Sequence, residues 1–147
     1  RQVLAGGIAL QFPLYGGIQG IMIGTGLGKV IATWFVAIST PVTFYMLQFW
    51  AAGIINMFVP SGGGQWLVQG PITIEAANTM GIDMTRSAMM VAWGDQWTNM
   101  IQPFWALPLL GLAGLSARAV MGYTTMTLLW SGAILSAIAL LMGMRIM

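Results

Sequence analysis

The charged side chains of this chain stand at Arg1, Lys29, Glu75, Asp83, Arg86, Asp95, Arg118 and Arg145. Between them the stretches 2–28, 30–74, 96–117 and 119–144 are uncharged and mostly apolar. Each exceeds the roughly 20 residues a helix needs to cross a bilayer. The pattern predicts a first span over 3–27, closed by Lys29 and carrying Pro13. Gly16, Gly20, Gly24 and Gly28 lie one turn apart along it, a spacing that lets helices approach closely. Residues 30–39 read as a helix lying in the membrane interface, anchored by Trp34. The run 41–79 is too long for one helix. Pro41 starts a helix reaching about Met57, Pro60 to Gly64 interrupts it, and Gln65 restarts it. That second arm, about 13 residues at about 1.5 Å each, is too short to cross. The run is therefore expected to be a re-entrant hairpin with its tip near 60–65. Asp83 and Thr85 are placed to cap the next helix. The stretch 86–115 reads as a span broken at 94–99, where Gly94-Asp95-Gln96-Trp97-Thr98-Asn99 concentrates hydrogen-bonding groups. The last span covers 119–145. The expected fold is an all-α, polytopic membrane protein with 1–147 as one membrane domain.

Composition agrees with that pattern. The chain is 58% hydrophobic and 5% charged, with a mean hydropathy of +0.84, whereas soluble domains are about 25% charged. A monomeric water-soluble globule is excluded. The absence of cysteine removes disulfides, thiolate metal sites and cysteine nucleophiles. The absence of histidine removes the usual zinc and haem ligands and the usual base of a serine triad. The net charge of +2 comes from scattered residues, so no basic cluster exists to grip nucleic acid or anionic lipid. The 13 methionines show no metal-binding spacing and read as packing. Trp34, Trp50 and Trp130 read as interface anchors, while Trp66 and Trp97 flank the two breaks and could wall a pocket. The opening at Arg1, with no basic segment and cleavage site, is expected of a piece of a longer membrane protein rather than a signal peptide.

Non-helical backbone at membrane depth survives only where protein or a water-filled cavity receives its polar groups, and helix ends that meet at mid-membrane bind substrates and coupling ions in many carriers. The expected breaks at 60–65 and 94–99 fit that role. Gly62, Gly63 and Gly64 would let backbone amides form an anion-binding nest. The amides of Gln65 and Trp66 would add the positive end of a helix dipole. Ser61, Gln65, Thr98, Asn99 and Gln102 supply neutral donors, with Asn99 and Gln102 three apart on one face. Asp95 in mid-span is costly, about 2.5–3.5 kcal/mol on insertion scales. Its alternatives are a coupling-ion or substrate network, and an N-cap for a helix restarting at Gln96.

At these breaks the sequence resembles a known family. Asn56-Met-Phe-Val-Pro-Ser-Gly-Gly-Gly-Gln-Trp66 with Gln69-Gly-Pro71, and Gly94-Asp-Gln-Trp-Thr-Asn-Met-Ile-Gln-Pro-Phe-Trp-Ala-Leu-Pro108, are similar to signatures of the AtoE-type short-chain fatty acid transporter family. Gln11-Phe-Pro-Leu-Tyr-Gly-Gly-Ile and the stretch from Ser116 to Tyr123 also look like it, with a departure at Ala119, where an acidic residue is expected. The resemblance implies one transporter-type repeat, with a re-entrant helical hairpin and a discontinuous transmembrane helix, from the C-terminal part of a longer ion-coupled carrier. It implies import of acids such as acetoacetate or butyrate across the bacterial inner membrane, completed by an N-terminal repeat and compatible with a homodimer. Ser61, Gly62, Gly63, Gly64, Gln65, Thr98, Asn99 and Gln102 become substrate-binding candidates, and Asp95, Gln96 and Asn56 ion-coupling candidates. The coupling ion would be H⁺, or Na⁺ held near Asp95; no cofactor or nucleic acid is expected.

Three competing classes remain at the level of sequence. One is a carrier of another small organic anion. Another is a channel or structural membrane subunit. The third, an intramembrane hydrolase using Ser61, lacks a histidine and has Lys29 as its only lysine. An enzyme is not expected.

Overall fold

The computed structural model describes residues 13, 14, 16–103 and 106–144; positions 3–12 and 15 of the expected first span lie outside them. Among the described residues seven α-helices follow in order: α1 (Gly16–Gly24), α2 (Leu27–Ala37), α3 (Phe44–Asn56), α4 (Gly62–Thr79), α5 (Met84–Thr98), α6 (Leu107–Ala113) and α7 (Ala117–Gly143). A 3₁₀ turn, Asn99–Ile101, extends α5. All regular structure among the described residues is helical.

The chain turns where local chemistry requires it. Between α1 and α2 it bends by 60° at Gly26, whose φ of 72° is a conformation glycine adopts without strain. The helix expected at 30–39 thus starts at Leu27 and contains Lys29. Thr40 and Thr43 bond to each other's amides at 2.9 and 3.3 Å, so 41–43 is a turn and α3 begins at Phe44. Ser61 caps α4 by accepting from the Gly64 amide at 3.4 Å. Asp83 caps α5 by accepting from the Arg86 amide at 2.9 Å. Ser116 caps α7 by accepting from the Ala119 amide at 3.3 Å.

Two expected breaks move. Gly62, Gly63 and Gly64 form the first turn of α4 rather than a loop, because amides in a first turn need no intrahelical partner and Ser61 holds the turn closed. With 18 residues, α4 is about 27 Å long, so the expected short arm is not α4. The 13-residue α3, about 20 Å, is the short one. The break expected at 94–99 lies later, since α5 runs unbroken through Thr98. Gly94 serves closeness here: a Cβ on it would lie 2.6 Å from Ala52 Cβ and collide with the Phe49 carbonyl of α3. The residue that leaves helical geometry is Gln102, extended at φ −101°, ψ 97°. Pro103 follows it, and a proline disfavours the α-region in the residue before it.

Helix α3 is central and packs against α2, α4, α5 and α7. Phe44, Tyr45, Phe49, Met90, Trp97 and Leu128 form the main buried cluster; Met22, Ala32, Ile55 and Val59 form a second beside α2. Trp97 sits in the main one, its ring 4.9 Å from those of Phe49 and Trp50 and its indole N–H donating to Leu128 O at 2.8 Å. It is a core residue rather than a pocket wall. Trp50 donates to Ser136 Oγ at 3.0 Å and ties α3 to α7. The outside is apolar: Leu109, Leu112, Leu129 and Trp130 are all exposed, which water would penalise and lipid would not. Among the described residues α7 alone is long and apolar enough to cross a membrane by itself, and the bent pair α1–α2 qualifies together.

This packing predicts opposite effects for two glycines. Gly94→Ala should destabilise the detergent-purified protein by about 1–3 kcal/mol through overpacking against α3. Gly122→Ala, whose Cβ meets nothing within 4 Å, should leave stability unchanged or raise it by about 0.5–1 kcal/mol. Thermal unfolding of both variants checks this, and equal shifts would contradict the close α3–α5 contact.

Candidate functional site

The C-terminus of α3, the N-terminus of α4 and the last turns of α5 meet at one place, joined by Asn56. Its side-chain amide, fully buried, donates toward Asp95 O at 2.7 Å, Thr98 Oγ1 at 2.9 Å and Asn99 Oδ1 at 2.9 Å. Gln102 Nε2 donates to Asn56 O at 2.9 Å. The Thr98 hydroxyl donates to Gly53 O at 3.0 Å, with Gly94 O at 3.4 Å as a second acceptor. Peptide groups at the ends of two helices are thereby satisfied without water. Asn56, Thr98 and Gln102 are thus fasteners behind the site, their donor groups engaged inside the protein.

In front of this knot stands Asp95, 6% exposed. It does not cap a helix starting at Gln96, because it lies within α5. Its carboxylate oxygens lie 3.7 and 3.9 Å from where a Cβ on Gly62 would be, and Oδ1 is buried without a hydrogen-bond partner. Absence of a side chain at Gly62 is what lets the carboxylate approach the first turn of α4, the positive end of that helix. The Gln65 amide already donates to Ser61 O at 2.8 Å, so the amides without an intrahelical acceptor belong to Gly62 and Gly63. Gly64 gives its amide to Ser61 and lies against the side-chain amide of Gln19 from α1.

Two adjoining cavities open at Gly62 and Asp95. One, of about 460 Å³, is lined by Pro60, Ser61, Gly62, Asp95, Gln96 and Asn99. The other, of about 310 Å³, is lined by Gly62, Gln65, Asp95 and Gln96 together with the apolar Trp66, Ala88, Val91 and Ala92. Together they bring backbone donors and a carboxylate into the same space as apolar side chains. Gln102 does not line either cavity; it lines a further groove with Pro103, Leu110 and Met121, and Asn99 borders both that groove and the larger cavity. No group of three or more metal-ligating side chains gathers among the described residues.

Sequence reasoning passes over Gln48 and Thr73 and takes Gln69 only as part of a motif, yet all three are fully buried. Their signal was present: Gln65, Gln69 and Thr73 recur every four residues on α4, and Gln48 lies two turns before Asn56 on α3.

Comparison with known proteins closes on the same segments. The profile of a family described as short chain fatty acid transporter matches residues 2–142. A candidate short-chain fatty acid transporter of Escherichia coli (strain K12) is 49% identical over 128 residues, covering 87% of this chain and 29% of that protein. A protein of the same description from Haemophilus influenzae (strain Rd) is 46% identical over 128 residues, with the same coverage. The chain therefore spans under a third of the length of these curated relatives. No solved structure matches. The family is one of transporters rather than enzymes, which sets aside a hydrolytic role for Ser61, and its members are membrane proteins. With the profile covering nearly the whole chain and both relatives close to half identical, the chain belongs to the short-chain fatty acid transporter family.

Proposed function

We propose that this chain forms half of the substrate site of a secondary carrier that imports short-chain monocarboxylates, such as acetoacetate or butyrate, across the bacterial inner membrane. The observation that carries this is the free first turn of α4 opening, beside Asp95, into cavities lined by both polar and apolar groups. The substrate carboxylate accepts from the Gly62 and Gly63 amides, helped by the Ser61 hydroxyl, Gln96 and Asn99. Its short alkyl chain lies along Trp66, Ala88, Val91 and Ala92. Helices α3 and α4 form a re-entrant hairpin whose tip is the site, a reading that the short α3 and the polar tip support. The longer protein, in the resemblance an N-terminal repeat, supplies the other wall, and alternating access requires both.

Asp95 gives the carrier its coupling. Two carboxylates about 4 Å apart repel by about 4 kcal/mol at an effective dielectric of 20, nearly a thousandfold in affinity. Substrate therefore binds well only when Asp95 is neutralised, by a proton or by Na⁺ held against its oxygens and those of Gln96 and Asn99. Binding of acid and cation becomes one event, and the cation gradient drives import. A channel would show neither saturation nor counterflow.

Uptake of labelled butyrate into proteoliposomes bearing the full-length protein should saturate and respond to an imposed H⁺ or Na⁺ gradient. Asp95→Asn should keep butyrate counterflow while gradient-driven uptake falls at least tenfold. Full gradient response in that variant would remove Asp95 from the coupling step, and absence of butyrate flux in the wild type would refute the substrate assignment. Gly62→Val, which places a side chain against Asp95, should abolish both uptake and counterflow; unchanged transport would show that the anion binds elsewhere.

A further inference from the structure

The substrate site and its coupling residue leave one buried polar feature unused. Along the contact of α3 with α4 lie Gln65, Gln69 and Thr73 of α4 and Gln48 of α3, each with no exposed surface. Gln65 Nε2 donates to Ala52 O and to Gln69 Oε1, both at 3.0 Å. Thr73 Oγ1 donates to Gln48 Oε1 at 2.8 Å. Yet Gln65 Oε1, Gln69 Nε2 and Gln48 Nε2 are buried without partners.

Turning the amides over does not cure this. Ala52 O accepts only, so it fixes the nitrogen of Gln65, and Gln65 in turn fixes the oxygen of Gln69. One acceptor and one donor stay unmatched on neighbouring turns whatever Gln48 does. A dry seam would lose more through these atoms than its few interhelical bonds return. A water that donates to Gln65 Oε1 and accepts from Gln69 Nε2 satisfies both, and internal water takes up such sites.

The seam also has two ends. At one, Gln65 lines the cavity that holds Asp95 and Gly62. At the other, Gln48 is one turn from Tyr45 on α3, and Tyr45 lines a separate cavity of about 240 Å³ with Pro41, Ile82, Asp83 and Arg86. The intervening side chains are amides and a hydroxyl, which solvate a cation without a fixed charge to trap it.

We propose that Gln65, Gln69, Thr73 and Gln48 enclose a file of internal waters joining these two cavities, and that the coupling cation reaches Asp95 along it. The proposal rests on the carrier reading for its cargo, but the water itself does not. Two arms on the full-length protein in proteoliposomes test it. In the first, Thr73→Cys and Ala139→Cys are exposed to Ag⁺, a cation close to Na⁺ in size, and remaining thiol is counted by alkylation after denaturation and mass spectrometry. This segment contains no native cysteine, and Ala139 is equally buried in the apolar cluster. Thr73→Cys should react at least tenfold faster; equal rates would overturn the proposal. In the second arm, Gln69→Leu should lower gradient-driven butyrate uptake at least tenfold with counterflow within twofold of wild type. Running H⁺ and Na⁺ gradients separately shows which cation the seam carries, and undiminished driven uptake under both would overturn its role. A wild type that moves no butyrate would refute the carrier reading instead, leaving the Ag⁺ arm to decide the seam.

Discussion

The side-chain amide of Asn56 is the contact on which the rest of this structure depends. In lipid, a helix end without a partner for its peptide groups is costly, because no water is available to replace them. Here the ends of α3 and α5 meet, and Asn56 bonds to Asp95 O, Thr98 Oγ1 and Asn99 Oδ1 while Gln102 bonds back to Asn56 O. This knot fixes the last turn of α5 against α3 and so fixes which way Asp95 faces. Glycine at 94 permits the close helix crossing, and glycine at 62 permits the carboxylate to reach the start of α4. Loss of any of the three would move Asp95 away from the amides on which the proposed site is built.

Much of the arrangement was legible in the sequence, and the errors have a common cause. Proline and glycine near residue 60 do interrupt the helix, but local preference alone does not place the break, and Pro71 sits inside α4. Gly62 to Gly64 can start a helix because its first turn needs no internal acceptors, and Ser61 supplies the cap. The polar run from Gly94 to Asn99 reads as a break because lipid rejects such side chains; α3 supplies partners for Thr98 and Asn99 while the backbone stays helical. The actual departure at Gln102 is written in the Gln-Pro pair, a backbone signal weaker to the eye than four polar side chains in six residues. Asp95 was picked out by its cost in a span, although its partner, the end of α4, could not be read from spacing along one chain. Gln48 and Thr73, and the buried role of Gln69, are hard to read from sequence because neutral residues do not interrupt an uncharged run.

The seam and the site describe one economy of charge. A carrier of carboxylates through lipid must neutralise its cargo, and this segment has one carboxylate at the tip together with backbone amides and neutral side chains. In the proposed mechanism, cation and acid meet where the helix dipole already favours negative charge. Neutral donors hold an anion less tightly than arginine would, which suits a site that must also release it.

The central claim is that the first turn of α4 holds the substrate carboxylate. Solid-state NMR on the full-length protein in bilayers, with carboxyl-¹³C butyrate and ¹⁵N-glycine, measures that contact directly. The account predicts the carboxyl carbon within about 4 Å of the Gly62 and Gly63 nitrogens, one hydrogen bond away, and loss of that coupling in Gly62→Val. Bound butyrate whose carboxyl carbon shows no coupling to these two nitrogens would contradict it.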